Sequence, residues 1–252
     1  MKPFGIVGGL SPESTWGYGD TICVGFNKEK GGLENPEFTI QIVNLARVME
    51  AQDRGDWERV GEIIVGAIHR LKAAGAEFAA IASNTPHNAF DYIQKNSPIP
   101  VLSIMDATAG EVVKSGKKRV ALLGTKMTME YGFFEETFRR RGIELIVPDE
   151  SDRKKIHQII VSELVKGEIR AESREELKKI IGKLEARGAE GVILGCTELP
   201  LILKPEDSRV PLFDTAEIHA KAILECATNP VAFRKLELDW NAAKGKRFKL
   251  MG

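Results

Sequence analysis

The chain has 252 residues, 43% of them hydrophobic. That is enough to bury a sizeable core, as one large α/β domain or as two lobes of about 110 residues each. Lysine plus arginine and aspartate plus glutamate both number 36, so no net field recruits nucleic acid or an anionic membrane surface, and a small-molecule partner is the default expectation. The three cysteines, Cys23, Cys196 and Cys226, are odd in number and lack framework spacing, which suits free thiols in a reducing compartment.

In chain order, an apolar strand is expected at residues 4–7, directly after the N-terminus, and no later apolar run approaches the roughly 18 residues needed to span a bilayer. The expectation is a soluble, cytoplasmic protein. Further strands are expected at residues 39–44, 78–82, 101–104, 120–123, 144–147, 192–194 and 211–213, with helix-patterned segments at 57–74, 107–115, 130–140, 151–166 and 173–187. Apolar runs that alternate with amphipathic helices predict parallel sheets with crossover helices. Ser173 and Glu176 have capping-box spacing, which predicts a helix start at that serine. The charged segment from Asn229 onward, including residues 244–249, reads as a solvated extension or a partner contact.

Two segments repeat each other. Residues 70–85 (Arg-Leu-Lys-Ala-Ala-Gly-Ala-Glu-Phe-Ala-Ala-Ile-Ala-Ser-Asn-Thr) align without a gap on residues 183–198 (Lys-Leu-Glu-Ala-Arg-Gly-Ala-Glu-Gly-Val-Ile-Leu-Gly-Cys-Thr-Glu). Ser83 thereby corresponds to Cys196. Around these, Ile99-Pro-Val-Leu resembles Val210-Pro-Leu-Phe, and Phe4-Gly-Ile-Val-Gly resembles Val120-Ala-Leu-Leu-Gly. The repeat predicts two pseudosymmetric lobes, each a mostly parallel sheet flanked by helices; if the halves face each other, a hydroxyl and a thiol flank one cleft, which would hold the active site. Residues 1–105 plus 213–252 would form the lobe of Ser83, and residues 106–212 that of Cys196.

Strand ends are where open α/β sheets place their chemistry. A thiol at such a turn, near a helix N-terminus, is expected to shift from about 8.5 toward neutrality. Taken alone, Cys196 could equally be a buried, inert cysteine and Ser83 a helix N-cap; their correspondence promotes both. His87, four residues after Ser83, would sit about one helical turn on, as a group that orders the hydroxyl or as a surface histidine. His219 holds the matching place in the second half, while His69 and His157 read as structural. The turn at residues 8–15 (Gly-Gly-Leu-Ser-Pro-Glu-Ser-Thr) offers backbone N–H groups to an anion, without the third glycine of a dinucleotide fingerprint or a Walker lysine. Thr125, in the matching turn at 124–128, could bind a carboxylate by the same physics. Clustered metal-ligand spacings are absent from the sequence.

The combination of the 8–15 turn, Ser83-Asn-Thr-Pro-His87, Leu123-Gly-Thr125 and Gly195-Cys-Thr-Glu-Leu199 resembles the aspartate/glutamate racemase family, in order and across the chain to about Thr228. The resemblance implies two α/β lobes and a cofactor-independent, metal-free racemisation, in which two cysteines on opposite faces of the α-carbon remove and return a proton. Cys196 matches the second cysteine. Ser83 stands where the family has the first cysteine, or threonine in one amino-acid racemase subgroup. The resemblance further implies substrate contacts from Leu10, Ser11, Gln52, Asn84, Thr85, Thr125, Lys166, Thr197 and Glu198, with His87 and His219 in support, a small amino acid as partner, and a homodimer. A single-cysteine decarboxylase on the same fold and a non-catalytic amino-acid-binding relative stand as alternatives.

Overall fold

A computed structural model describes residues 1–245, apart from the side chains of residues 12 and 13. The chain divides into two compact units. Among the described residues, one comprises Met1–Ala82, Pro86–Ser103 and residues 220–245; the other comprises Ser83–Thr85 and Ile104–His219.

The elements in chain order are β1 (Phe4–Gly8), α1 (Pro12–Lys30), β2 (Phe38–Ile42), α2 (Leu45–Asp53), α3 (Trp57–Ala73), β3 (Phe78–Ile81), a 3-10 turn (Thr85–Ala89), α4 (Phe90–Asn96) and β4 (Val101–Leu102). There follow α5 (Ile104–Lys114), β5 (Arg119–Leu123), α6 (Lys126–Glu130), α7 (Phe133–Arg140), β6 (Glu144–Ile146), α8 (Glu150–Ser162), a 3-10 turn (Leu164–Lys166) and α9 (Ala171–Ala186). The chain then runs through β7 (Val192–Leu194), α10 (Leu199–Ile202), a 3-10 turn (Pro205–Asp207), β8 (Leu212–Asp214), α11 (Thr215–Thr228) and α12 (Pro230–Gly245). The first sheet has the order β2-β1-β3-β4 and the second β6-β5-β7-β8, with every pairing parallel. Helices cover such sheets, so β1, β3 and β7 are buried along their whole length and read as unbroken apolar runs rather than alternating ones.

The internal repeat holds at the level of single hydrogen bonds. Helices α3 and α9 both end in a turn closed by a left-handed glycine, Gly75 at φ 97° and Gly188 at φ 91°, a conformation that a Cβ would strain. Ala76 N–H then bonds to the Leu71 carbonyl and Ala189 N–H to that of Leu184, both at 3.0 Å. After the strands, Ala82 N–H donates to the Val7 carbonyl at 3.0 Å and Gly195 N–H to the Leu123 carbonyl at 2.7 Å. Ser83 and Cys196 are the next residues in each copy. Separate apolar cores back the two sheets: Val7, Ile64, Ile68, Leu71, Ile81 and Val101 contribute to the first, and Leu123, Ile156, Ile180, Leu184, Leu194 and Leu199 to the second.

The structure differs from the sequence reading in several places. Strand β8 pairs with β7 in the second sheet, Leu212 opposite Val192, so residues 213–219 group with the second unit rather than with the first. Residues 83–85 also group there. The expected helix at 130–140 is interrupted, because Gly132 adopts φ 73° and separates α6 from α7. Ile104 opens α5 instead of closing a strand. Ser173 is not a helix cap: α9 starts two residues earlier, at Ala171, and the Ser173 hydroxyl donates to the Glu163 carboxylate at 2.6 Å. The solvated extension expected from Asn229 is the helix α12 as far as Gly245. Its Phe233 is buried and meets the Phe78 ring at 6.0 Å, with the Lys2 ammonium 4.8 Å above it. Residues 246–249 of that charged segment lie outside the described residues.

Candidate active site

Cys196 follows β7 in a turn set by Gly195. A Cβ at Gly195 would lie 2.9 Å from the Leu123 carbonyl oxygen and 2.9 Å from Leu122 Cδ1, so only glycine lets the chain pass flush over β5. Cys196 is buried, at 9% exposed. Its Sγ donates to Glu198 Oε2 at 2.9 Å, and the Thr197 hydroxyl donates to the same oxygen at 2.8 Å. Glu198 is 4% exposed.

Burial pushes the Cys196 thiol well above its ordinary value, and the neighbouring Glu198 carboxylate pushes it further. The backbone N–H groups of Glu198 and Thr197 bond to the sulfur and pull the other way, more weakly. The resting group is therefore a protonated thiol. This corrects the expectation of a thiol shifted toward neutrality: the helix that follows, α10, has four residues, and an acid sits in front of it.

Ser83 occupies the equivalent turn after β3 and is half-buried. The next residue, Asn84, is 4% exposed. Its amide Nδ2 donates to Thr215 Oγ1 at 3.0 Å, and that hydroxyl donates in turn to the Leu194 carbonyl at 2.9 Å. Leu194 is the last residue of β7, so a two-bond relay fixes the Ser83-Asn84-Thr85 segment to the strand that delivers Cys196. Asn84 Oδ1 is buried without a protein partner, an acceptor left for something that the chain does not supply. Thr85 is half-buried at the start of the 3-10 turn. Thr215, fully buried, was not singled out from the sequence; its place just after the Pro-led strand of the second repeat was the available signal.

The two glycine turns also match. Ser11 caps α1, its Oγ accepting from Ser14 N–H at 3.2 Å, while Gly9 N–H donates to Thr15 Oγ1 at 2.9 Å and Ser14 Oγ donates to the Ala82 carbonyl at 2.9 Å. Thr125 caps α6 by accepting from Thr128 N–H at 3.4 Å and lies 3.1 Å from the Thr128 hydroxyl. Some of the groups offered to an anion are thus engaged in holding the turns themselves. Leu10 is buried and Ser11 half-buried.

Gln52 is half-buried near the end of α2, and Lys166 is exposed where its 3-10 turn closes at left-handed Gly167. His87 lies in that first 3-10 turn rather than on an α-helix; it is 1% exposed and stacks on Phe90 at 5.2 Å, which removes the surface-histidine alternative. His219, in α11, is fully buried. His69 is exposed on α3, and His157 accepts from Lys126 N–H at 3.3 Å. Among the described residues no group of three or more histidine, cysteine or acidic side chains could hold a metal ion, and no helix is long and apolar enough to cross a membrane.

Two four-stranded parallel sheets flanked by helices make this an α/β protein, with Ser83 and Cys196 following the equivalent strand of each repeat. The match of residues 7–223 to the model of the Asp/Glu/hydantoin racemase family shows that the chain belongs to that family. It is similar to the broad-specificity amino-acid racemase RacX of Bacillus subtilis, at 24% identity over 86% of this chain and 95% of that one. Among solved structures it resembles a candidate Asp/Glu racemase from Yersinia pestis (38% identity, TM-score 0.86, 90% of this chain and 99% of that one). It also resembles an aspartate racemase homologue from Pyrococcus horikoshii (39% identity, TM-score 0.79, 91% of this chain and 100% of that one).

Proposed function

We propose that the protein is a cofactor-independent racemase of aspartate, glutamate or a related amino acid, with Cys196 acting on one face of the α-carbon and Ser83 on the other. Cys196 takes the α-proton of the L-enantiomer. The Ser83 hydroxyl gives a proton to the opposite face and recovers one from water. The substrate carboxylate meets the turn N–H groups and the hydroxyls of Thr85 and Thr197, which stabilise the charge that develops as the α-proton leaves. The buried, unsatisfied Asn84 Oδ1 suits the substrate ammonium. The family resemblance points to Gln52 and Lys166 as substrate contacts, with Lys166 as the group for a side-chain carboxylate.

The observation that carries this reading is the Asn84–Thr215–Leu194 relay, because it ties the segment of Ser83 to the end of the strand before Cys196. The similarity to a broad-specificity amino-acid racemase, to glutamate racemases and to an aspartate racemase homologue supports the substrate class. A hydroxyl facing a thiol makes the two faces unequal, so turnover is expected to favour one direction. Carbanion formation without an electron-sink cofactor is difficult, and each 1.36 kcal/mol of added barrier costs about tenfold in rate.

The test is incubation with L-aspartate and L-glutamate in deuterated water, followed by proton NMR and chiral chromatography. Exchange of the α-proton with appearance of the D-enantiomer supports the proposal. Binding without exchange of either amino acid contradicts it.

A further inference from the structure

The residue before each reacting side chain is held by a buried hydroxyl residue from another turn. Ser14 and Thr128 lie three residues after the helix caps Ser11 and Thr125, whose hydroxyl oxygens accept from Ser14 N–H at 3.2 Å and from Thr128 N–H at 3.4 Å. Both are buried, at 4% and 2% exposed, and with their backbone fixed by the caps their side chains meet the neighbouring strand ends. The Ser14 hydroxyl donates to the Ala82 carbonyl at 2.9 Å, nearer than its 3.2 Å contact with the Ser11 carbonyl. That Ala82 oxygen belongs to the peptide bond joining Ala82 to Ser83. A peptide unit is planar, so pinning its oxygen fixes the plane from which the Ser83 side chain departs.

In the second half the same place is served by packing. A Cβ on Gly195 would lie 3.0 Å from Thr128 Cγ2, and one on Gly124 would lie 2.9 Å from it. The Thr128 methyl therefore fills the space against the turn that delivers Cys196, and its hydroxyl sits 3.1 Å from Thr125 Oγ1. The halves differ because the first has a threonine to spare. Thr15 accepts from Gly9 N–H at 2.9 Å, donates to the Ser11 carbonyl at 2.7 Å and sets its methyl 2.5 Å from where a Cβ on Gly8 would be, which leaves Ser14 for Ala82. Met129 stands at the matching position of the second half, so Thr128 serves both turns there.

Resting on the reading of Ser83 and Cys196 given above, we propose that Ser14 and Thr128 are matched positioning residues, one for each face of the α-carbon. Ser14 aims the Ser83 hydroxyl through the Ala82 carbonyl, and Thr128 seats Cys196 by filling the space against Gly195. Each acts through the backbone of the residue before the reacting one. Displacing a reacting group by about 1 Å costs on the order of 10²-fold in rate, and losing one pinning contact, which shifts a turn by less, is expected to cost about tenfold. Because each residue serves one face, its loss alters a different part of the reaction, which a merely structural role would not do.

The experiment follows the L-amino acid in deuterated water and separates the D-product from α-deuterated L-amino acid. In Ser14→Ala the ratio of D-product to deuterated L-amino acid should fall about tenfold, because Cys196 still removes and returns the proton on its own side. In Thr128→Ser total exchange should fall about tenfold at an unchanged ratio, and further than in Thr128→Val, which keeps the methyl. The unmutated ratio in Ser14→Ala, the same pattern in Ser14→Ala and Thr128→Ser, or exchange no slower in Thr128→Ser than in Thr128→Val overturns the proposal. Should Ser14→Ala not fold, Ser14→Cys fills the same space with a weak donor and is read in the same way. Cys196→Ala and Ser83→Ala separate the two layers. Exchange that persists in Cys196→Ala, or D-product at the unmutated rate in Ser83→Ala, sinks the reading of those residues and this proposal with it. If both lose what that reading assigns to them while Ser14→Ala keeps the unmutated ratio, only the positioning role falls.

Discussion

Replacing Thr215 by valine removes one hydroxyl and keeps the shape of the side chain. That hydroxyl is fully buried, accepts from Asn84 Nδ2 at 3.0 Å and donates to the Leu194 carbonyl at 2.9 Å. Its loss deletes two hydrogen bonds of about 1 kcal/mol net each and leaves the Asn84 amide buried without its donor bond, a further cost of roughly 1–3 kcal/mol. Water reaching the gap offsets part of this, so the expected destabilisation is about 2–4 kcal/mol. For a chain of this size each 1 kcal/mol moves the melting temperature by roughly 2–4 °C, and differential scanning calorimetry of Thr215→Val should show a fall of about 10 °C. Because Asn84 is then free to turn, KM for the L-amino acid should rise by more than kcat falls. A loss below about 1 kcal/mol would refute the relay as a structural tie, and a destabilised protein with unchanged KM would refute Asn84 as a substrate contact.

Other perturbations follow from the same geometry. Gly195→Ala puts a Cβ against the Leu123 carbonyl oxygen, which cannot swing away as a side chain can; a loss of about 1–3 kcal/mol in urea unfolding is expected, along with faster alkylation of Cys196 as its turn shifts. Phe233→Ala should cost about 3–5 kcal/mol by opening a cavity beside Phe78, and a melting temperature unchanged within about 1 °C would mean that α12 is not packed on the first unit. Burial raises the Cys226 thiol from 9.0 to about 12. The unfolded chain therefore gives up that proton first, and stability present below pH 9 should fall as pH rises toward 12. Cys226→Ala should flatten that fall in melting curves taken across the same range, and an identical slope in both proteins would contradict the assignment.

Much of the fold could be read from the chain because its strands are short apolar runs bounded by glycine turns. Gly75 and Gly188 mark the same turn in both copies, and the gap-free alignment around them carried Ser83 onto Cys196 before any coordinates did. Helix boundaries were less legible where the signal was a single side chain. Ser173 has the spacing of a cap, yet its hydroxyl finds a better acceptor in Glu163, across a loop. The segment after Asn229 looked too charged to pack, but Phe233 and Leu236 suffice to seat α12. The direction of Glu198 could not be seen at all. It lies two residues after Cys196, and only the path of the turn decides whether that carboxylate meets the substrate or the sulfur. The state of the thiol was misread for the same reason, since sequence shows the nearby helix start but not the burial and the acid that oppose it.

The central claim is that two unlike groups serve the two faces of one carbon. Its most direct test is Ser83→Ala incubated with the L-amino acid in deuterated water, with the product resolved by configuration as well as by deuterium content. The account predicts α-deuterated L-amino acid and a loss of most of the D-enantiomer, since Cys196 can still remove and return the proton on its own side. Formation of the D-enantiomer at the unmutated rate would contradict it.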